Sequence, residues 1–327
     1  LTVRLSEVDP DRHIWGESLV VSPLNARDFL ARIALSIAGR LTLILERQAE
    51  LGPSPTRPLP LTDILVTRGM VEMRSYTPGS NEAASALFEE ALVLEPEHAM
   101  AHACLAMARL ARQNFRLPDP DALRHARQAV RRAPEDSRCF RALGLAEACM
   151  GDLAAAEASL RHALDLNPAD ADTMSILGFV MTSRGKAAEA LAWFDRAFFL
   201  NPVPPDWYRQ DYAIALLALD RYDDVLGLLR VHPRLKEFGE MRLAACHAVR
   251  GEAAEVCRRL ALARDKAGTS DLLALIDSIS YYDDPASKQH FRDQVALALT
   301  MEASFLGVAG RNSLPAGQGY SIAPPTV

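Results

Sequence analysis

The most constraining feature of this sequence is a proline that recurs at a fixed interval after an apolar stretch. Pro134, Pro168 and Pro202 follow one another at intervals of 34 residues, and Pro96 precedes Pro134 by 38. The stretches that end in these prolines read EEALVLEP, RQAVRRAP, RHALDLNP and DRAFFLNP. Because proline cannot continue a helix, the spacing predicts an array of repeats that each end in a helix.

Two consecutive repeats also carry matching small and large residues. The matched pairs are Gly144 and Gly178, Gly151 and Gly185, Ala156 and Ala190, Leu160 and Phe194, and Ala163 and Ala197. Small residues let two helices approach closely, a glycine after a helix accommodates a positive φ, and the large residue fills the space between the helices. The pattern predicts a helix-turn-helix unit of 34 residues.

This pattern resembles the tetratricopeptide repeat (TPR), a helix-turn-helix of the same length. The resemblance implies an all-α fold, a right-handed superhelix of about six repeats followed by capping helices. Earlier units that end at Pro96 and Pro134, and weaker units after Pro202, extend the array. We expect the repeats and capping helices to occupy residues 63–303, and a Gly/Pro-rich tail to occupy residues 304–327.

The first part of the chain follows a different pattern. The alternating stretches TVRLSEV and HIWGESLVV predict a short β-hairpin within residues 2–21. Apolar residues three and four apart then predict an amphipathic helix at about 24–50, so residues 1–50 form one segment. Residues 51–62 contain four prolines and are interpreted as a linker. The chain opens in a strand pattern without a starting Met, and we expect it to be a piece of a longer protein.

The hairpin with Trp15, the helix and the first repeat together resemble a recurrent bacterial arrangement. There, the end of a TolB-like α/β domain precedes TPRs. Such regions follow the DNA-binding domains of transcriptional regulators, adenylyl cyclase catalytic domains or protein kinases. The resemblance implies an effector domain N-terminal to Leu1, a cytoplasmic location and a sensing or regulatory role. The alternatives are a regulatory arm of a nucleotide cyclase or kinase, and a small-ligand sensor.

The sequence carries no motif of a catalytic or cofactor site. It lacks a P-loop, a G-x-S-x-G elbow and an H-E-x-x-H pair, so we expect no enzyme activity, no cofactor and no metal. His98 and His102 have a spacing seen in metal sites, but packing within the repeat explains them better. The five cysteines form no C-x-x-C pair and are expected to be buried free thiols. We expect no membrane partner, because no apolar run is long enough to span a bilayer.

The net charge of -6 argues against a dedicated nucleic-acid binder, although arginines cluster in one region. A solvated helix face explains this cluster best, and an acidic partner surface and nucleic acid are the alternatives. The clustered residues are Arg109, Arg112, Arg116, Arg124, Arg127, Arg131, Arg132, Arg138 and Arg141.

The TPR resemblance also assigns a partner-binding groove, because set positions on the first helix of each repeat line the concave side. Carried over to this chain, these residues are Met100, Met107, Arg138, Arg141, Leu145, Asp172, Ser175, Phe179, Thr182, Trp207 and Gln210. We expect the groove to bind a peptide or protein, with the two arginines pairing with carboxylates and the apolar residues serving as anchors. The alternative is that the chain's own N-terminal helix or tail fills the groove. A homodimer remains an open alternative for the assembly.

Overall fold

The structure is a computed structural model of the chain. It describes residues 2–8, 11–18, 60–74, 77–112, 115, 117–201, 204–230, 235–279 and 284–312. The predicted helix at 24–50, nearly all of the predicted linker and the last part of the predicted tail lie outside these residues. Among the described helices, none combines the length and the apolar character that crossing a bilayer requires.

The predicted β-hairpin is present at the start of the chain. Strand β1 spans Thr2–Val8 and strand β2 spans Asp11–Ser18, and the two pair in antiparallel register with Leu5 opposite Trp15. The register shifts between Leu5 and Ser6, which indicates a β-bulge.

The rest of the described chain is helical. In chain order the fourteen helices within the described residues are α1 (Leu61–Met73), α2 (Pro78–Leu94), α3 (Ala99–Arg112), α4 (Pro120–Arg132), α5 (Ser137–Cys149), α6 (Leu153–Leu166), α7 (Ala171–Ser183), α8 (Ala187–Leu200), α9 (Asp206–Ala218), α10 (Tyr222–Leu229), α11 (Glu237–Val249), α12 (Ala253–Ala267), α13 (Leu272–Asp277) and α14 (Pro285–Asn312). Up to α12 they form successive helix-turn-helix pairs, which confirms the predicted all-α TPR class.

The small and large residues that recur in the repeats have the turn and packing roles predicted from the sequence. Gly151 and Gly185 follow the first helix of their units with φ values of 86° and 77°, a region that residues with a Cβ rarely adopt. A Cβ on Gly144 would lie 2.7 Å from the Cγ atom of Leu160, so glycine permits the close approach of α5 and α6. Leu160 and Phe194, which fill the space between helices, are fully buried. These positions are therefore scaffold.

The chain divides into two compact units. Unit 1 comprises Leu1–Met150, Ala154–Ile176 and Trp193–Pro204, and unit 2 comprises Gly151–Leu153, Leu177–Ala192 and Pro205–Val327. In unit 2 the helices α9 to α14 share one apolar core, which includes Met241 of α11 together with Phe291 and Val295 of α14. The two predicted capping helices are thus α13 and α14, which share this core.

Two predicted boundaries differ from the structure. Helix α1 begins at Leu61, inside the predicted linker 51–62, because a helix can start directly after Pro60. Helix α14 continues to Asn312, past the predicted start of the tail at 304, because the next proline comes only at position 315.

Candidate functional site

The predicted groove residues fall into the two units. Unit 1 contains Met100, Met107, Arg138, Arg141, Leu145, Asp172 and Ser175, and unit 2 contains Phe179, Thr182, Trp207 and Gln210. The unit 1 residues lie on α3, α5 and α7, the first helices of three consecutive repeats. We name the surface formed by these unit 1 residues, without Ser175, the inner face.

The apolar part of the inner face lies where α3 and α5 meet. Met100 and Met107 are partly buried and pack against a cluster that includes Cys139 and Ala142 of α5. Leu145 is also partly buried and packs against a neighbouring cluster of α3, α4 and α5 residues. All three side chains keep accessible surface, and methionine adapts its shape readily to a partner.

Arg138 is held at the N-terminus of α5 by the residue that caps this helix. The Asp136 carboxylate accepts hydrogen bonds from the backbone N–H of Arg138 at 2.9 Å, from its Nε at 3.0 Å and from its Nη2 at 2.7 Å. Burial alone would raise the pKa of Asp136, but the hydrogen bonds and charge of Arg138 outweigh it and hold that pKa below its usual range. The Arg138 side chain nevertheless remains 42% exposed.

Arg141 connects α5 to the start of α7. Its Nη1 donates to the two carboxylate oxygens of Asp170 at 3.0 and 2.9 Å, and lies 3.6 Å from an oxygen of Asp172. The side chains of Arg141 and Asp170 are only 13% and 9% exposed. Asp170 also accepts hydrogen bonds from the backbone N–H and the hydroxyl of Thr173 at the start of α7.

These contacts correct one expectation about the groove. We expected Arg138 and Arg141 to attract carboxylates of a ligand, but Asp136, Asp170 and Asp172 already surround the two guanidinium groups. Two positive charges therefore face three negative ones, and the local balance is not basic. The sequence contains a signal for this pairing, because Asp136 directly precedes α5 and Asp170 directly precedes α7. The spacing alone does not show which arginine pairs with which carboxylate.

Two further groove candidates, Ser175 and Thr182, have almost no solvent-accessible surface. Ser175 is fully buried, and within the described residues its hydroxyl has no hydrogen-bond partner. Thr182 is 1% exposed and donates a hydrogen bond to the carbonyl of Gly178 at 2.8 Å. In this conformation neither side chain is accessible to a partner, so we assign partner contacts to neither of them.

The remaining unit 2 candidates are partly buried. They are Phe179, Trp207 and Gln210. The Trp207 ring stands edge-on to Tyr208 with centroids 4.4 Å apart, which fixes its orientation.

Helix α14 covers part of the inner side of unit 2. Ile214 and Leu217, which the TPR resemblance would also assign to groove positions of the fifth repeat, are buried, and Gln294 of α14 donates to the Leu217 carbonyl at 3.2 Å. The backbone N–H of Asp284 donates to the Ser183 carbonyl at 3.3 Å, which joins the start of α14 to the end of α7. The sequence left self-occupation of the groove by the N-terminal helix or the tail as an alternative, and the predicted helix at 24–50 and the tail after residue 312 lie outside the described residues.

The histidines near the inner face have protein partners. His98 Nε2 lies 3.0 Å from Asp63, and His102 Nε2 lies 3.0 Å from the Pro96 carbonyl. The Nδ1 atoms of His102 and His125 are 2.8 Å apart. Since His102 uses its Nε2–H for the carbonyl, its Nδ1 accepts from His125. The described residues contain no group of three side chains arranged to hold a metal ion.

The cysteine prediction holds for four of the five residues, whereas Cys257 on α12 is only partly buried. Cys104, Cys139, Cys149 and Cys246 are buried free thiols, and burial raises the pKa of each to about 12. Thiols of this kind are not nucleophiles at neutral pH.

Comparison with characterised proteins yields partial matches. No family model matches the chain. It is 33% identical over 117 residues to cellulose synthase operon protein C of Komagataeibacter xylinus, which covers 35% of this chain and 9% of that protein. Cellulose synthase 1 operon protein C of the same organism is 33% identical over 116 residues, with the same shares covered. The match thus spans less than a tenth of the length of these relatives.

Solved structures with a similar fold are helical repeat proteins. PilF of Pseudomonas aeruginosa has 17% identity and a TM-score of 0.47, covering 72% of this chain and 97% of that one. A TPR protein of Parabacteroides merdae has 14% identity and a TM-score of 0.46, covering 83% and 95%. A thermophilic TPR protein of Thermus thermophilus has 23% identity and a TM-score of 0.45, covering 53% and 92%. None of these likenesses identifies a ligand for this chain.

Proposed function

We propose that this chain is a non-catalytic protein-interaction module and that the inner face of unit 1 binds an amphipathic segment of a partner protein. The observation that carries this proposal is the apolar part of the inner face, where Met100, Met107 and Leu145 lie on α3 and α5 and keep accessible surface. In unit 2, α14 instead packs against the side on which Ile214 and Leu217 are buried, although Phe179, Trp207 and Gln210 stay partly exposed.

Helix α14 supplies an internal example of the expected binding mode. Its residues Phe291, Val295 and Ala298 are spaced four and three apart and are buried in the core that includes α9 and α11. This is the spacing with which an amphipathic helix lays one face into a groove. A partner helix on the inner face would use the same kind of contact, with its apolar anchors against Met107 and Leu145.

The charges of the inner face determine the rest of the partner's chemistry. Since Arg138 and Arg141 are already balanced by carboxylates, we expect apolar anchors to dominate the binding free energy. Arg138 and Asp172 each keep 42% of the side chain exposed, so the inner face carries exposed groups of both signs. A segment with mixed charges around an apolar stripe fits this surface better than a purely acidic one.

Site-specific photo-crosslinking tests where the partner binds. A photo-reactive amino acid replaces Met107 on the inner face or, as the matched control, the exposed Arg131 on α4. We expect a discrete crosslinked partner from position 107 and none from position 131. Equal crosslinking at both positions, or crosslinking at 131 alone, would contradict the assignment of the inner face.

We further propose that partner binding serves regulation in a bacterial signalling or transcriptional protein. This proposal rests on the resemblance of the N-terminal hairpin and first repeat to regions that follow effector domains. The test compares the effector activity of the complete protein with and without the crosslinked partner. An activity that does not change on partner binding would leave the interaction role in place but exclude the regulatory one.

A further inference from the structure

Helix α14, which supplies Phe291 and Val295 to the core of unit 2, also carries a row of apolar side chains that reach solvent. Leu297 is 48% exposed, Phe305 is 43% exposed, and Met301 between them is partly buried. These three residues are four positions apart, so they lie along one ridge of the helix. We name them the α14 ridge. The inner face belongs to unit 1, so the ridge is a separate surface.

The helix around the α14 ridge carries very little charge. Within residues 294–310 the only charged residue is Glu302, and its two carboxylate oxygens accept hydrogen bonds from Arg264 at 2.8 and 2.6 Å. The hydroxyls of Thr300 and Ser304 donate to backbone carbonyls of their own helix at 2.9 and 3.0 Å. The solvent-facing side of a helix normally carries charged and polar residues, so this stretch of α14 presents an unusually apolar surface.

The α14 ridge is complementary to itself. When two copies of α14 pack antiparallel about Met301, Leu297 of each copy lies opposite Phe305 of the other. The charges at the ends of the stretch match in the same arrangement, since Asp293 comes eight residues before Met301 and Arg311 comes ten residues after it. Antiparallel packing therefore brings the acidic position of each helix near the basic position of the other, as the two-fold symmetry of a self-complementary contact requires.

We propose that the α14 ridge is a dimer interface, and that its occupant is the same ridge of a second copy of this chain in antiparallel orientation. The apolar surface that Leu297 and Phe305 remove from water in both copies drives the association. Such a contact closes after two copies. One helix from each copy buries less than the about 800 Å² per partner of a stable complex, so the dimer is reversible, with a Kd of about 1–100 μM.

Sedimentation of the 327-residue chain over about 1–300 μM tests this proposal. We expect a reversible shift from monomer to dimer as the concentration rises. Phe305→Glu places a carboxylate opposite Leu297 and should weaken dimerisation at least about tenfold. Leu306→Glu is the matched control, because Leu306 is the next residue, is 56% exposed and lies off the ridge, so it should dimerise like the wild type. A wild type that stays monomeric, or equal weakening by both variants, would overturn the proposal.

Cysteine crosslinking tests the alignment of the two helices. Cys257→Ser removes the partly buried thiol and leaves four buried ones. In this background, Met301→Cys and Leu306→Cys are each treated with a short bismaleimide. We expect a crosslinked dimer from position 301, which lies on the two-fold axis, and little from position 306. Equal or stronger crosslinking at 306 would refute the ridge even if Phe305→Glu did not fold.

A chain that ends at Asn312 distinguishes a second copy from the tail as the occupant of the α14 ridge. The shortened chain should dimerise with the same Kd as the 327-residue chain. Dimerisation that appears only after shortening would show that the tail covers the ridge, and the proposal would then be wrong.

Discussion

At the scale of single residues, the structure separates charges that hold the fold from charges that face solvent. Arg141 and Arg138 look equivalent in the sequence, three positions apart on one helix. Arg141 is nearly buried and bound to Asp170, whereas Arg138 is half exposed and bound to the cap residue of its own helix. The sequence identified both arginines but not their roles, because the role depends on a carboxylate 29 residues away.

Replacing Arg141 is expected to destabilise the protein much more than replacing Arg138. Arg141→Met leaves the Asp170 carboxylate buried without its cation and should lower the free energy of unfolding by about 2–4 kcal/mol. Arg138→Met removes an exposed pair and should cost about 0–1 kcal/mol. Urea denaturation followed by circular dichroism measures both. Equal losses in the two variants would show that Arg141 is not a structural link.

The contact between His102 and His125 predicts a pH dependence of stability. Burial lowers the pKa of His125 from 6.5 to about 4, and it also lowers that of His102. Between these values the unfolded chain binds more protons than the folded one, so stability rises with pH. The contribution is complete above pH 6.5 and is lost as the pH falls towards 4, and we expect about 1 kcal/mol after allowing for solvent exposure.

Urea midpoints measured between pH 4.5 and pH 7.5 test this dependence. His125→Gln keeps a hydrogen-bonding side chain without a titratable ring, and its stability should vary less with pH than that of the wild type. The explanation fails if the two proteins show the same slope over this interval.

At the scale of elements, local residue chemistry made the repeats predictable. Small residues at the crossing points, glycines at turns and prolines after helices act within one repeat, so their spacing shows in the sequence. The fifth repeat illustrates where the pattern weakens: Asp220 takes the positive-φ position, with φ 55°, that Gly185 occupies in the repeat before it. Asp220 also binds Tyr222 and His290, contacts that a glycine could not make.

Two glycines in helices give a matched test of helix packing. Gly144→Ala places a Cβ 2.7 Å from Leu160 and 3.1 Å from the backbone oxygen of Ala156, so it should cost about 1–3 kcal/mol. Gly227→Ala on α10 meets nothing within 4 Å and should leave stability unchanged or raise it by up to about 1 kcal/mol. Thermal unfolding of the two variants checks both signs. A Gly144→Ala protein as stable as the wild type would disprove the close contact.

At the scale of the whole molecule, the sequence predicted the repeat class and the capping helices but not what α14 does. Its buried residues Phe291 and Val295 contact helices far away in the chain, and no local pattern encodes which surface a capping helix will cover. The accessible part of the groove could therefore not be separated from the covered part by sequence alone. The non-catalytic character and the regulatory setting of the chain stay predictions.

Shortening Phe291 tests the cohesion of unit 2. Phe291→Ala leaves a cavity in the core shared by α9 to α14 and should cost about 3–5 kcal/mol. Hydrogen exchange should accelerate in α11, α12 and α14 and remain unchanged in α1 to α4. Acceleration that is uniform over all described helices would contradict the division into two compact units.

The central claim is that the inner face of unit 1 binds a partner segment, and calorimetric titration of that segment is its most direct test. Once crosslinking has identified the segment, its Kd is measured with the wild type, with Met107→Glu and with Arg131→Glu, all first shown to be folded by circular dichroism. The account predicts at least about tenfold weaker binding for Met107→Glu and an unchanged Kd for Arg131→Glu. Unchanged binding by Met107→Glu together with weaker binding by Arg131→Glu would contradict it.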